Sequence, residues 1–294
     1  MRAPTLRWIA AVLAAVCATP ASADDPPVPP GLDPGGEAIA LISDGVDYTV
    51  PEIAARLARD GEGEPIAFDL IDGDVRPYSP ASDGLGTRLA RIVLATNPGS
   101  RLVVVRVATT DPVELARAAV FASRTPARVV ALGFWGSKPE LWKPFAEAAR
   151  AADKVTFVLP GGNSAARLSG QVYPAAFKLR NAIVAADLTT RDLHKAPKVP
   201  VDAWLGHKAN EDYLVPLDAS EPKADAAGAA QIVGDSIGGA AFIAALAACF
   251  SKPADDGAGR KQELLANAPF RGEGRHFFDL AFACAPKEGA KQEM

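Results

Sequence analysis

Ala38-Ile39-Ala40-Leu41-Ile42-Ser43-Asp44-Gly45-Val46-Asp47 is an apolar run that ends in a polar turn, and Pro51-Glu52-Ile53 stands a few positions behind it. A short run that is apolar at every position reads as a strand covered on both faces, since a half-exposed strand would alternate. Proline suits the first turn of a helix, where its missing N–H is not needed, so Pro51 opens a helix over 51–59. Working outward, strand-like apolar runs recur at 65–70, 102–107, 129–134, 155–159 and 182–186, the first being 38–42. Helical patterns lie between them at 87–96, 112–123 and 139–152, with Pro112 and Pro139 in first turns. Strand and helix alternating in this way predict an α/β domain of three layers, with a mostly parallel central sheet and helices on both faces. The alternation breaks after Asp187: residues 188–222 read as loop, with Pro197, Pro200 and Pro216, and an Ala/Gly-rich helical run covers 226–250.

The chain has 294 residues, of which 49% are hydrophobic and 22% charged, with three cysteines and three histidines. That composition excludes disordered, collagen-like and disulfide-scaffold classes. Residues 1–23 read as an export signal: Arg2 and Arg7 precede an apolar run over 8–16, and Ala21-Ser22-Ala23 makes a small-residue cleavage site. Val16 stands before Cys17 where a lipoprotein signal wants a small residue, so no lipid anchor is expected, and the destination is periplasmic or extracellular. Loss of Arg2 and Arg7 moves the net charge from −4 to −6, which leaves no basic footprint for nucleic acid or anionic lipid. Residues 24–36 form a proline-rich linker, 37–286 the α/β domain and 287–294 a polar tail.

Four segments, in order, carry chemical residues. They are Ile42-Ser43-Asp44-Gly45; Asp83-Gly84-Leu85-Gly86-Thr87-Arg88-Leu89-Ala90; Pro160-Gly161-Gly162-Asn163 with Tyr173-Pro174-Ala175; and Gly234-Asp235-Ser236-Ile237. Together they resemble the subtilisin-like serine peptidase family, the subtilases, over nearly the whole mature chain. The resemblance implies that family's fold. It also implies the places of its chemical groups: Ser236 at the nucleophile position, Asn163 at the oxyanion position, Leu85 where the family has histidine and Ser43 where it has aspartate.

Serine-dependent amide hydrolysis needs a base for the hydroxyl proton, a carboxylate to orient that base and donors for the developing oxyanion. Leucine has no proton to exchange. Asp44 is the rescue candidate for the orienting carboxylate, but alternation along a strand would turn it away from the face Ser43 uses. His194, His207 and His276 all follow the Asn163 segment, in stretches read as loop or terminal structure. Only residues 24–36 separate signal from domain, too few for the folded prodomain of active members. The family's Ser-Leu-Gly-Gly substrate edge is matched by Gly133-Phe134-Trp135-Gly136, which puts Trp135 where a glycine would open the specificity pocket.

Cys249 and Cys284 either pair in an oxidising compartment or are two buried thiols. No cofactor and no metal is expected; the alternative is a calcium site among Asp69, Asp72 and Asp74 of the kind the family carries, against a solvated acidic loop. Gly-Asp-Ser-Ile also matches the Gly-Asp-Ser-Leu block of another hydrolase family, whose motifs run in the opposite order. The expectation is an exported pseudopeptidase, enclosing a peptide or protein in its cleft without turnover; the alternative is a slow serine-type endopeptidase using Ser236 and Asn163 with Asp44 or a recruited histidine.

Overall fold

A computed structural model describes residues 25–80, 84–108, 111–162, 170–187, 203–208, 214–215, 236–250, 252, 256–272, 275–279 and 283–284. The strands are β1 (Ala38–Ser43), β2 (Ala67–Asp69), β3 (Arg101–Arg106), β4 (Val129–Leu132), β5 (Thr156–Pro160), β6 (Ala182–Asp187), β7 (Ala203–Lys208), β8 (Leu214–Val215), β9 (Phe270–Gly272) and β10 (Arg275–Asp279). They form one sheet in the order β2-β3-β1-β4-β5-β6-β7-β10-β9, with β8 paired to β7. Every pairing from β2 to β10 is parallel, and only β8 and β9 run against their neighbours.

Alternation along the strands divides the apolar side chains between two cores. Ile39, Leu41, Leu102, Val104, Val129, Ala131, Val158 and Ile183 face α2 (Leu85–Thr96), α5 (Ser236–Phe250) and Leu264 of α6 (Gly257–Ala266). Ala40, Ile42, Val103, Val105, Val130, Leu132, Phe157 and Leu159 face α3 (Pro112–Arg124) and α4 (Pro139–Ala151). This is the expected three-layer α/β arrangement. Helices α3 and α4 each begin with their proline, and Asp111 caps α3 by accepting the N–H groups of Val113 and Glu114. Helix α5 is buried at nearly every position from Ser236 to Ala248, the signature of a central helix with no solvent face.

Several elements differ from the sequence reading. The helix opened by Pro51, α1 (Pro51–Ala54), stops short of Arg59 because the chain turns into the sheet: the Ala58 N–H bonds to Leu102 O at 2.8 Å and Leu57 bridges Leu102. Strands β7 and β8 occupy part of the stretch read as loop, so His207 lies on a strand, as does His276 on β10. Helix α6 carries its own start signal, Asp256, whose carboxylate accepts the Gly259 N–H at 2.6 Å. Of the run read as helix over 226–250, the described part is α5; His194 lies outside the described residues. The proline-rich stretch is extended, and from residue 25 onward it is docked on the domain. Pro26 O accepts the Tyr48 hydroxyl at 2.7 Å, Pro29 O accepts Arg59 Nη2 at 2.6 Å, and Asp33 pairs with Arg101. Arg59 is only 5% exposed, its other terminal nitrogen bonding Gly63 O at 2.7 Å.

Cys249, at the end of α5, is joined to Cys284 in a disulfide with a Cα–Cα distance of 6.1 Å. The Cys284 N–H donates to Thr96 O at 2.8 Å, so the bridge fastens the C-terminal segment to the ends of α5 and α2 together.

Candidate functional site

The site is built where β1 ends. Ser43 is fully buried, and its Oγ accepts the Gly45 N–H at 3.3 Å. Gly45 has φ +94°, and a side chain there would meet Pro77 O and Arg106 Cδ, so glycine is required for the turn. The turn meets the N-terminus of α2. The Gly86 N–H donates to Asp44 Oδ1 at 2.8 Å, and Thr87 Oγ1 accepts the Asp47 N–H at 2.8 Å. A Cβ on Gly86 would overlap the Gly45 carbonyl and stand 2.5 Å from Ser43 Oγ. Gly133, whose N–H bonds Ile42 O at 2.8 Å, closes the third side: a Cβ there would stand 3.4 Å from Ser43 Cβ. Two of the four motif segments, with the Gly133 to Gly136 edge beside them, therefore meet at the end of β1.

The contents of the convergence decide its chemistry. Leu85, the first residue of α2, is half-buried and packs against both apolar cores. Ser43 supplies a hydroxyl that is already engaged in the turn. Asp44 does not turn away as strand alternation suggested, because the strand ends at Ser43 and the chain bends at Gly45; its carboxylate instead reaches the start of α2. There it satisfies one of the helix's unpaired N–H groups and opposes the positive end of the helix dipole, a capping role. Ser236 is the first residue of α5 and 1% exposed, and α5 packs against α2 and against β1, β4, β5 and β6. Asn163 lies outside the described residues; before it, Gly161 bonds Ala185 O and Gly162 has φ +73°.

The segment from Gly133 to Gly136 leaves β4 with Phe134 buried and Trp135 half-exposed. Gly136 exchanges both backbone hydrogen bonds with Tyr173, at 3.0 and 2.9 Å, and a Cβ on Gly136 would lie 2.7 Å from Trp142 Nε1. His276 sits on β10, beyond β7 from the strands that carry the site. A cavity of about 400 Å³ lined by Arg150, Asp153, Lys178, Leu179, Arg180 and Asn181 opens beside the starts of β5 and β6, at the opposite end of the parallel sheet.

The residues weighed for calcium do not fit it. Arg106 Nη1 lies 2.7 Å from both Asp69 Oδ2 and Asp72 Oδ2, so a guanidinium stands where an ion would have to bind. Asp69 Oδ1 caps the following turn through the Ile71 and Asp72 N–H groups, and Asp74 pairs with Arg76 at 3.2 Å. Hydrogen bonds to both carboxylates hold the Arg106 pKa above its usual value, although burial opposes them and is the largest single influence. Sequence reading missed Arg106; the signal was a cation closing an otherwise apolar strand.

No protein-family model matches the chain, nor does any curated protein. Solved structures do. A lanthipeptide protease superposes with a TM-score of 0.55 and 17% identity over 80% of this chain and 81% of its own. The nisin leader peptidase NisP from Lactococcus lactis gives 0.52 and 13% identity over 85% and 86%. A cold adapted subtilisin-like serine proteinase gives 0.50 and 14% over 80% and 82%. At these identities the likeness is one of architecture, and this chain has the fold of the subtilisin-like serine proteases.

Proposed function

We propose that this chain is an exported pseudopeptidase, which holds a peptide or protein segment along the Gly133 to Gly136 segment, beside the β1 turn and the start of α2, and releases it uncut. The observation that carries the reading is Leu85. It occupies the first position of α2, one residue from the Gly86 that touches Ser43 and Asp44, and it is an aliphatic side chain packed against both cores. General-base catalysis needs a proton acceptor within about 3 Å of the hydroxyl. In subtilisin itself, loss of the histidine costs a factor of about 10⁶ in turnover, roughly 8 kcal/mol of barrier. Ser43 in place of the orienting carboxylate, and Asp44 engaged as a helix cap, support the same reading. Arg88, on the next turn of α2, is no substitute, since a guanidinium stays protonated. Export rests on the signal-like residues 1–23 and on the paired cysteines; no helix among the described residues is long and apolar enough to cross a membrane.

The test uses the purified protein with fluorescein-labelled casein and with a fluorophosphonate probe. Binding of casein without release of fragments, and no labelling of Ser236, are expected. Cleavage that disappears in Ser236→Ala would overturn the proposal, and fluorophosphonate labelling of Ser236 would put the slow serine hydrolase in its place.

A further inference from the structure

The docked N-terminal strap ends in a concentration of charge beside the site. Carboxylate oxygens of Asp25, Asp69 and Asp72 lie within 4.8 Å of one another. Two guanidinium groups stand beside them: Arg106 binds Asp69 and Asp72, while Arg76 binds Asp74 through Nε and the Asp25 backbone oxygen through Nη1 at 3.1 Å. Tyr48 holds Pro26 O and its ring lies 5.1 Å from that of Tyr78. Asp25 Oδ2 is buried without a hydrogen-bond partner. Ionised, this carboxylate gives up water at Oδ2 and gains two like charges in return. Neutral, it offers an O–H to the oxygens of Asp69 and Asp72, which can only accept.

We propose that Asp25 is a proton-operated latch: in its neutral form it seats the first residues of the strap against Asp69 and Asp72, beside the Gly45 turn, and in its ionised form it lets them go. Burial first, and then the neighbouring Asp72, raise the Asp25 pKa above the ordinary carboxylate value, with Arg106 and Arg76 pulling the other way. The seated strap therefore keeps its proton to a higher pH than the free strap does. Its contribution is complete below the ordinary carboxyl value and is lost as pH rises through the raised one. Tyr48, whose own pKa is pushed up by burial and then by Asp25, stays protonated across this window. Release is confined to the residues before Pro29, because Arg59 grips Pro29 and Asp33 is tied to Arg101. Val28, which packs against the core lined by Ile39 and Leu41, is the reporter.

The experiment follows the methyl resonances of Val28, Ile39 and Leu41 by NMR from pH 3.5 to pH 7 in the purified protein and in Asp25→Asn. In the parent, the Val28 methyls are expected to move from an acid to a neutral position while Ile39 and Leu41 stay fixed. In Asp25→Asn they should hold the acid position throughout. Val28 resonances indifferent to pH in the parent, or titrating unchanged in Asp25→Asn, would overturn the latch. Near-ultraviolet circular dichroism of Tyr48 in the parent is a second readout that needs no variant, and a flat signal over the same range also refutes it. Neither measurement involves a cleft ligand, so the outcome is independent of the pseudopeptidase proposal.

Discussion

Replacing Gly86 with alanine adds one methyl group at the contact between α2 and the β1 turn, and two physical effects then disagree about the sign. Helix propensity alone favours alanine over glycine by about 1 kcal/mol, and Gly86 sits inside the first turn of α2. Packing opposes this, because the new Cβ would overlap the Gly45 carbonyl, reach within 2.5 Å of Ser43 Oγ and stand 3.0 Å from Asp44 Oδ1. The first obstacle is backbone, in a turn fixed by Gly45 at φ +94°, so the helix must move rather than a side chain. Overpacking costs about 1–3 kcal/mol, and a displaced helix also loses the Asp44 cap, worth about 1 kcal/mol. After the propensity gain is subtracted, Gly86→Ala is expected to be destabilised by about 1–3 kcal/mol. With a urea slope of about 2–3 kcal/mol per molar, that lowers the unfolding midpoint by roughly 0.3–1.5 M. Gly61→Ala is the control: its Cβ meets nothing within 4 Å, and relief of chain entropy should leave it neutral or about 0.5 kcal/mol more stable. If Gly86→Ala unfolds at or above the parent's midpoint, the close approach of α2 to the Ser43 turn is wrong, and the placement of Leu85 falls with it.

Other expectations follow from the same geometry. Ser43→Asp buries a carboxylate at a fully enclosed position and should cost several kcal/mol by urea unfolding; adding Leu85→His should recover 0.5–3 kcal/mol in a double-mutant cycle, about what neighbouring sites show. Arg106→Met strips the cation from buried Asp69 and should lower stability by about 3–5 kcal/mol, while EDTA or added calcium leaves the melting temperature of the parent unchanged in calorimetry. Reducing the Cys249–Cys284 bridge, which spans 35 residues, should cost about 4 kcal/mol, read as the difference between urea midpoints with and without reductant.

The fold was legible wherever burial was two-sided. Strand β1 and its parallel neighbours are apolar at every inner position because helices cover both faces, and that pattern survives in a single chain. Strands β9 and β10 were not legible, since Phe270-Arg271-Gly272 and Arg275-His276-Phe277-Phe278-Asp279 are short and mixed, and only their partners make them strands. The meeting of Ser43, Asp44 and Gly86 was legible through motif order, but not the role of Asp44. Alternation is a rule for residues within a strand, and Asp44 is the first residue beyond one. Arg59 was hidden for a different reason. An arginine at the end of a helical pattern reads as solvent-facing, and nothing local shows that the strap will fold back over it.

The direction of that strap has a mechanical consequence. It starts at Asp25 near Arg106, the last residue of β3, and passes Asp33 at Arg101, the first, so it runs the length of β3 in the opposite sense. A pull on the N-terminus, from a surface tether or a translocating motor, would load its fastenings one after another at Tyr48, Arg59 and Arg101, as a zipper opens, rather than all at once in shear. The strands behind it would feel no tension until the last of those fastenings had parted, so the strap works as a mechanical fuse ahead of the sheet.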